Sequence, residues 1–359
     1  MTIVIDGSHG EGGGQILRTT LSLAAVLKRE VEIHNIRKGR KVPGLQPQHL
    51  TCVNACKEIT DAEVEGNNLQ SILLRFSPKN IKGGDFLFDV ARIKGSAGSV
   101  SLVLQSILLP LLLAEKSTEV EIKGGTHVSW SPAFTYLQQV FLPTIKKIGC
   151  KVEGEIKKWG WYPKGGGKVS FSINTVEKLL PLNLLERGKL LKLSGVSAVS
   201  NLPIHIAKRQ RDQAYKVLRE KKFSPEIELV EAPSIGKGTF FFILAEFEHS
   251  LAGFSSLGAI GKRAETVADE ACQEFLEFMQ IDAALEKYLA DQLIPYLSLT
   301  GEKSSFTVSS VSQHLLTNIW VVKNFLPVRI EVEGKEGEKG KIFIDSSEIK
   351  NKIRIKKIP

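Results

Sequence analysis

Cysteine is scarce in this chain and poorly spaced for crosslinking or zinc. Only four of 359 residues are Cys, and Cys52, Cys56, Cys150 and Cys272 form no C-x-x-C pair. Cys52 and Cys56 lie one helical turn apart in "LTCVNACKEI", a spacing that suits packing on one helix face. A reducing, cytoplasmic home is expected. Long apolar runs are also missing. The most apolar stretch, Val100 to Ala114, is interrupted by Ser101, Gln105, Ser106 and Pro110, so no membrane span or membrane partner is expected. The opening "MTIVIDGSHG" has no basic segment followed by a long apolar one, which argues against a leader. His34, His49, His127 and His205 follow no H-E-x-x-H or similar spacing, so a zinc centre is not expected. The glycine runs fit no generic nucleotide fingerprint. Gln15 stands where a dinucleotide loop starting at Gly10 needs its third glycine, and in "YPKGGGKV" Tyr162 and Val169 break a Walker A pattern.

What remains is an ordinary globular composition with a basic excess. Apolar residues make up 42%, enough for a sizeable core, and 48 Lys and Arg against 39 Asp and Glu give +9. That balance favours a polyanionic ligand such as a nucleotide or nucleic acid.

One phrase occurs three times: "EVEG" at 63–66, "KVEG" at 151–154 and "EVEG" at 331–334. The first interval is 88 residues and the second 180, so the third copy carries about 92 extra. The match extends upstream, with "REVEIHN" against "STEVEIKG", each after an apolar helix entered through glycines: "GEGGGQILRTTLSLAAVL" and "GSAGSVSLVLQSILLPLLLA". Second helices are expected at 45–59 and 131–148, the latter capped by Ser131 with Pro132 in its first turn. In the third copy the helices are "DAALEKYLADQLIPYL" and "SQHLLTNIWVVKNFL", followed by strands "VRIEVEG" and "GKIFIDS". The expected class is therefore α+β, with three β-α-β-α-β-β units. Residues 1–185 and 280–359 would form that three-repeat body. Residues 186–279, with helices at 205–220 and 260–279 and the strand "TFFFILAEFEH", would be an inserted α/β domain.

The first glycine cluster, "DGSHGEGGGQILR", leads from a strand at 2–5 into a helix, an arrangement that can cradle phosphate on backbone N–H groups. Glu11 inside it suits a helix N-terminus electrostatically, and would equally suit Mg²⁺ or Mn²⁺ shared with phosphate oxygens. The loop "IRKGRKVPGLQPQHL" sets Arg37, Lys38, Arg40 and Lys41 among Gly39, Pro43 and Gly44. A stiff turn of this kind suits phosphate clamping better than a free basic tail, although a solvated charge run reads the same way. Arg18 lies one turn into the glycine-led helix. Trp159, Trp161 and Tyr162 beside Lys157, Lys158 and Lys164 could stack bases or simply pack on a strand.

His314, in "VSSVSQHLLTNIWVVKNFLP", is the sharpest single feature. Ser309, Ser310 and Ser312 are good N-caps, and Leu315, Ile319 and Val322 recur at helical spacing, so the imidazole falls in a first turn. The partial positive charge there disfavours imidazolium and attracts anions. Two readings fit: a polar residue covering a helix end, or a neutral nucleophile beside a phosphate site.

Together "DGSHGEGGGQILR", "IRKGRKVPGLQPQHL", "GSAGSVSLVLQ", "YPKGGGKV", "YLADQL" and "QHLLTNI" make the chain resemble the RNA 3'-terminal phosphate cyclases over nearly its whole length. The resemblance implies three repeats like the C-terminal domain of a bacterial translation initiation factor, plus an inserted domain. It implies a ligase that uses ATP and a divalent metal to convert an RNA 3'-phosphate end into a 2',3'-cyclic phosphate, with His314 as the nucleophile that becomes adenylylated. Carried over by motif, Gln105, Tyr288, Leu289, Ala290, Asp291 and Gln292 would hold ATP. Arg18, Arg37, Arg40 and Gln48 would hold the RNA terminal phosphate, and Glu11 and Asp291 the metal. Here Lys287 and Tyr288 open the "YLADQL" element, where the family commonly starts with His or Tyr. Two other classes are discriminated by the same residues. A non-catalytic cyclase-like RNA-binding or ribosome-assembly factor would lack the nucleophile, and a carboxyvinyl transferase of related fold would not be adenylylated. A homo-oligomer is left open.

Overall fold

The computed structural model describes residues 2–349; residue 1 and residues 350–359, which close the expected three-repeat body, lie outside them. The first stretch runs β1 (Ile3–Asp6), α1 (Gly14–Leu27), β2 (Val31–His34), α2 (Pro47–Thr60), β3 (Glu63–Glu65) and β4 (Leu74–Ser77). The second runs β5 (Asp85–Asp89), α3 (Ala91–Lys94), α4 (Val100–Leu112), β6 (Thr118–Gly124), α5 (Phe134–Tyr136), a π-turn at Leu137–Phe141, α6 (Leu142–Lys147), β7 (Val152–Lys158) and β8 (Gly167–Ile173). After β9 (Asn183–Leu184) come β10 (Leu190–Ser200), α7 (His205–Glu220), β11 (Glu226–Glu231), β12 (Gly238–Phe247), β13 (Leu251–Leu257) and α8 (Ala264–Gln280). The chain then runs through α9 (Lys287–Leu297), β14 (Lys303–Val308), α10 (Gln313–Phe325), β15 (Arg329–Glu333) and β16 (Gly340–Asp345).

The class is α+β, with small mixed sheets. Three of them have one plan: β1-β2-β4-β3, β5-β6-β8-β7 and β9-β14-β16-β15. In each, the first two strands pair parallel and the others antiparallel. The fourth sheet, β11-β10-β12-β13, is drawn from 190–257, and α7 and α8 pack on it. Residues from β10, β12, α7 and α8, among them Phe241, Ile243 and Phe275, form a hydrophobic cluster separate from the main core.

The sheets alternate buried and half-exposed residues, as in β8 and β16, so one face of each covers the helices. Those helices meet in the middle: α1 packs on α4 and α10, and α9 on α10. α4 is apolar all round, and every residue of it except Gln105 is buried. Gln105 is where this core helix opens to the site.

Several expected helix starts move: the one expected at 45 begins at Pro47 and the one expected at 260 begins at Ala264, and two others have a visible local cause. The helix expected from Ser131 begins at Phe134, because Val128 to Pro132 form a turn in which Ser131 Oγ donates to the Val128 carbonyl. The helix expected from Asp282 begins at Lys287. Ala284 N–H donates to Thr307 Oγ1 and Leu285 N–H to the Thr307 carbonyl, so this stretch extends the sheet edge instead. Ser312 caps α10 as its sequence suggests, its side chain accepting the Leu315 N–H at 3.1 Å.

Candidate active site

The start of α10, the start of α1 and the middle of α9 converge where the three like sheets turn their helices inward. His314 is the second residue of α10 and half-exposed, with Leu315 behind it fully buried. Its Nδ1 lies 2.6 Å from Gln15 Oε1, and its Nε2 lies 3.1 Å from Glu11 Oε2. Gln15 Nε2 in turn donates to Asp291 Oδ2 at 3.1 Å and to the His314 carbonyl at 3.0 Å. One amide therefore joins α1, α9 and α10 in the order Glu11, His314, Gln15, Asp291. Burial lowers the His314 pKa; Glu11 opposes that shift while Arg18 and Arg40 add to it. Burial thus favours the neutral ring that a nucleophile needs.

The glycine-rich loop places Glu11. Gly10 has φ +55, and a Cβ there would come within 2.6 Å of Thr317 Oγ1 on α10, so only glycine lets the loop lie this close. His9 fixes it further by stacking on Trp320, ring centroids 3.9 Å apart. Arg40 Nη2 stands 3.6 Å from Glu11 Oε2. Arg37 has left-handed backbone, and its Nη1 donates to the carbonyls of Val42 and Gly44, at 2.8 and 3.0 Å. Its guanidinium holds the basic loop closed, and burial lowers its pKa, with Arg40 adding to the effect.

Arg18 is buried, and its Nε donates to Gln105 Oε1 at 3.1 Å. His49, passed over as a zinc ligand, belongs beside it. A Cβ on Gly14 would lie 2.4 Å from His49 Nε2 and 2.8 Å from Arg18 Nη1. Burial lowers the His49 pKa to about 3, with Arg37 and Arg18 adding to it. Gln48 Oε1 accepts the Ser99 N–H at 3.0 Å, tying α2 to the head of α4. Gln15, Arg18, Gln105, Gln292 and Asn318, together with Leu109, Pro295 and Tyr296, line a cavity of about 20 Å³. A larger hollow of about 530 Å³ lies on the fourth sheet, but its charged lining, Glu226 and Glu228, is acidic and repels a polyanion.

The expected ATP element divides. Asp291 is half-buried, and its carboxyl is pushed up to about 8, chiefly by desolvation and then by Glu286. Gln292 Nε2 donates to the Tyr288 carbonyl at 2.6 Å. Leu289 and Ala290 are wholly buried in the core, whereas Tyr288 is half-exposed with its hydroxyl 3.3 Å from Glu274 of α8. Glu286 caps α9 by accepting the Tyr288 N–H, and its other oxygen accepts the Tyr136 hydroxyl. Glu11 and Asp291 stand at opposite ends of the His314–Gln15 pair, and no group of three His, Cys, Asp or Glu side chains forms a metal cluster among the described residues.

Gln15, His49, Glu286 with Tyr136, and His9 with Trp320 all escape the sequence reading. Gln15 alone left a trace there, as the start of a polar stripe with Arg18, Thr19 and Ser22 on an otherwise apolar helix.

A neutral imidazole at a helix start, faced by a carboxylate and guanidinium groups across a glycine-rich turn, makes a site for an anionic, phosphorylated ligand. The chain belongs to the RNA 3'-terminal phosphate cyclase family, whose model matches residues 9–332. It is 44% identical over 333 residues to the RNA 3'-terminal phosphate cyclase of Nostoc punctiforme, covering 92% of this chain and 96% of that one. It is 43% identical over 348 residues to the protein of that name from Ignicoccus hospitalis, covering 95% and 97%. Against the one from Pyrococcus furiosus it is 42% identical over 344 residues, covering 95% and 98%. Among solved structures, the enolpyruvyl transferase NikO of Streptomyces tendae aligns with a TM-score of 0.36 at 8% identity, covering 95% of this chain and 48% of that one. That likeness is too slight to bear on fold or activity. No helix of the described residues is long and apolar enough to cross a membrane.

Proposed function

We propose that this chain is an ATP-dependent RNA 3'-terminal phosphate cyclase, acting in the cytoplasm on RNA 3'-phosphate ends, with His314 as its nucleophile. The observation that carries the reading is the half-exposed His314 ring, with Nε2 turned to Glu11 beside Arg40, in a chain of this family. Nε2 attacks the α-phosphorus of ATP, the bond to the β-phosphate oxygen breaks, and pyrophosphate leaves. An oxygen of the RNA 3'-phosphate then takes AMP from the ring. The neighbouring 2'-hydroxyl closes on the 3'-phosphorus, releasing AMP and a proton. Splitting the condensation this way lets imidazole serve as both nucleophile and leaving group.

Arg18, Arg40 and Gln48 would meet the RNA phosphate, with Arg37 shaping the loop that presents Arg40. Gln105, Tyr288, Asp291 and Gln292 would meet ATP, with Leu289 and Ala290 supporting that turn from the core. Glu11 is an oxygen donor of the kind Mg²⁺ or Mn²⁺ takes, and so is Asp291 on the far side of the His314–Gln15 pair; a cation held at either would neutralise phosphate charge. The three like sheets would be three copies of one initiation-factor-like unit, with 186–279 a domain inserted into the third. Incubation with α-labelled ATP and metal tests the reading: acid-labile, alkali-stable label on His314 is expected, and label that persists in His314→Ala would sink it.

A further inference from the structure

We propose that Gln15 is a positioning residue that sets the tautomer of His314, holding the ring proton on Nδ1 so that Nε2 keeps its lone pair. The proposal rests on the adenylylation reading above for its consequence, but its geometry stands alone.

The direction of one amide decides where the ring proton sits. Gln15 Nε2 is 3.1 Å from Asp291 Oδ2 and 3.0 Å from the His314 carbonyl oxygen. A carbonyl oxygen can only accept, so the atom facing it must be the amide NH₂. That fixes the opposite end, Oε1, 2.6 Å from His314 Nδ1. An amide oxygen likewise can only accept, so Nδ1 must carry the proton. In the neutral ring the lone pair then lies on Nε2; because Glu11 Oε2, 3.1 Å from that nitrogen, is itself an acceptor, the carboxylate must turn away from the ring before Nε2 can attack.

The amide is well secured for this task. Gln15 is buried, as the second residue of α1. Asp291, its second partner, is half-buried, and the Asp291 carbonyl accepts from Asn318 Nδ2 at 2.8 Å. Asn318 Oδ1 accepts the Thr19 hydroxyl at 2.7 Å, one turn along α1 from Gln15. The two helices and α9 are thus cross-bonded on either side of the amide, and turning it over would set Oε1 against the His314 carbonyl. When Nε2 bonds to phosphorus the ring gains positive charge, and the Nδ1–H bond to Oε1 strengthens with it.

The test reads the tautomer directly. Protein labelled with ¹⁵N-histidine is compared as wild type, Gln15→Leu and Gln15→Glu, with His314→Ala assigning the resonance. Wild type is expected to show a protonated Nδ1 and a bare Nε2. Gln15→Leu keeps the bulk and removes the acceptor, so the proton should redistribute onto Nε2. Its self-adenylylation rate should fall about 10- to 100-fold, the usual effect of losing an orienting partner, with the KM for ATP little changed. Gln15→Glu keeps an oxygen at Nδ1 and should retain the wild-type tautomer and recover part of the rate. An unchanged tautomer in Gln15→Leu, or loss of rate in both variants with the wild-type tautomer in each, would overturn the proposal. Should wild-type protein take no label from ATP, the cyclase reading fails while the spectra still decide the role of Gln15.

Discussion

Glu11 Oε2 lies 3.1 Å from Nε2 of His314 and 3.6 Å from Arg40 Nη2, so one carboxylate faces both the ring and the basic loop. Glu11 holds the His314 pKa up against burial, Arg18 and Arg40. Removing its charge in Glu11→Gln should lower that pKa further, and the acid limb of the self-adenylylation rate should move to lower pH. If Glu11 also ligates the metal, more metal should be needed for half-maximal labelling. An unmoved acid limb together with an unchanged metal titration would remove Glu11 from the site.

Gly14 tests how tightly the phosphate side is packed. Its Cβ would meet His49 Nε2 and Arg18 Nη1, both on buried side chains with nowhere to retreat. Gly14→Ala should cost about 1 to 3 kcal/mol of stability, as overpacking a core does. RNA-dependent turnover should fall more than self-adenylylation, because Arg18 and His49 move. A melting temperature and both activities equal to wild type would mean the cluster is loose.

Buried histidines and buried carboxyls pull stability in opposite directions. Burial lowers His49 to about 3 and puts His127 well below its ordinary value. Below about pH 6.5 the unfolded chain takes up these protons and the folded chain does not, so stability falls as pH falls. Burial raises Asp291 to about 8 and Glu286 to about 7. The folded chain keeps these protons while the unfolded chain loses them above about pH 4, so this contribution falls as pH rises to about 8. Above about pH 6.5 only the carboxyls still titrate. The melting temperature should therefore decline from pH 6.5 to 8, and Glu286→Gln should flatten the decline. An equally steep decline in that variant would show that Glu286 is ionised in the fold.

The elements that the sequence announces are those whose cause is local. Ser312 and the spacing of Leu315, Ile319 and Val322 are enough to start α10, and β8 and β16 follow from alternation alone. β9, two residues long, is invisible without β14 beside it. The site shows the same division. Motif residues such as Glu11, Arg18, Gln105, Asp291 and His314 are brought together, but what orients them is non-local. Gln15 meets Asp291 and His314 across 276 and 299 positions, and Tyr136 meets Glu286 across 150. No spacing within one segment encodes such a pair; only the packing of the helices does. Arg37 differs again, since it is easily read as a phosphate ligand from its charge, while its guanidinium is occupied with the carbonyls of its own loop.

That difference separates the two loop arginines experimentally. Arg40, half-exposed and 3.6 Å from Glu11, is free to meet a phosphate, whereas Arg37 acts on the loop that carries it. Losing one charge-assisted contact costs ~1.5 to 3 kcal/mol, so Arg40→Ala should slow AMP transfer to RNA about 10- to 150-fold. Self-adenylylation should change far less, since the ATP-side residues lie on α4 and α9. If Arg37 works through Arg40, Arg37→Ala should slow the same step, and the double variant should be little worse than Arg40→Ala alone. Fully additive losses would instead give Arg37 its own contact with RNA. Equal losses of self-adenylylation and transfer in Arg40→Ala would place that arginine on ATP. An RNA with a 3'-phosphate and a 2'-deoxy terminal sugar completes the set: it should accept AMP at the wild-type rate and never cyclise, because the ring closes through the missing hydroxyl. Cyclisation of that end would overturn the reaction sequence whatever the arginines do.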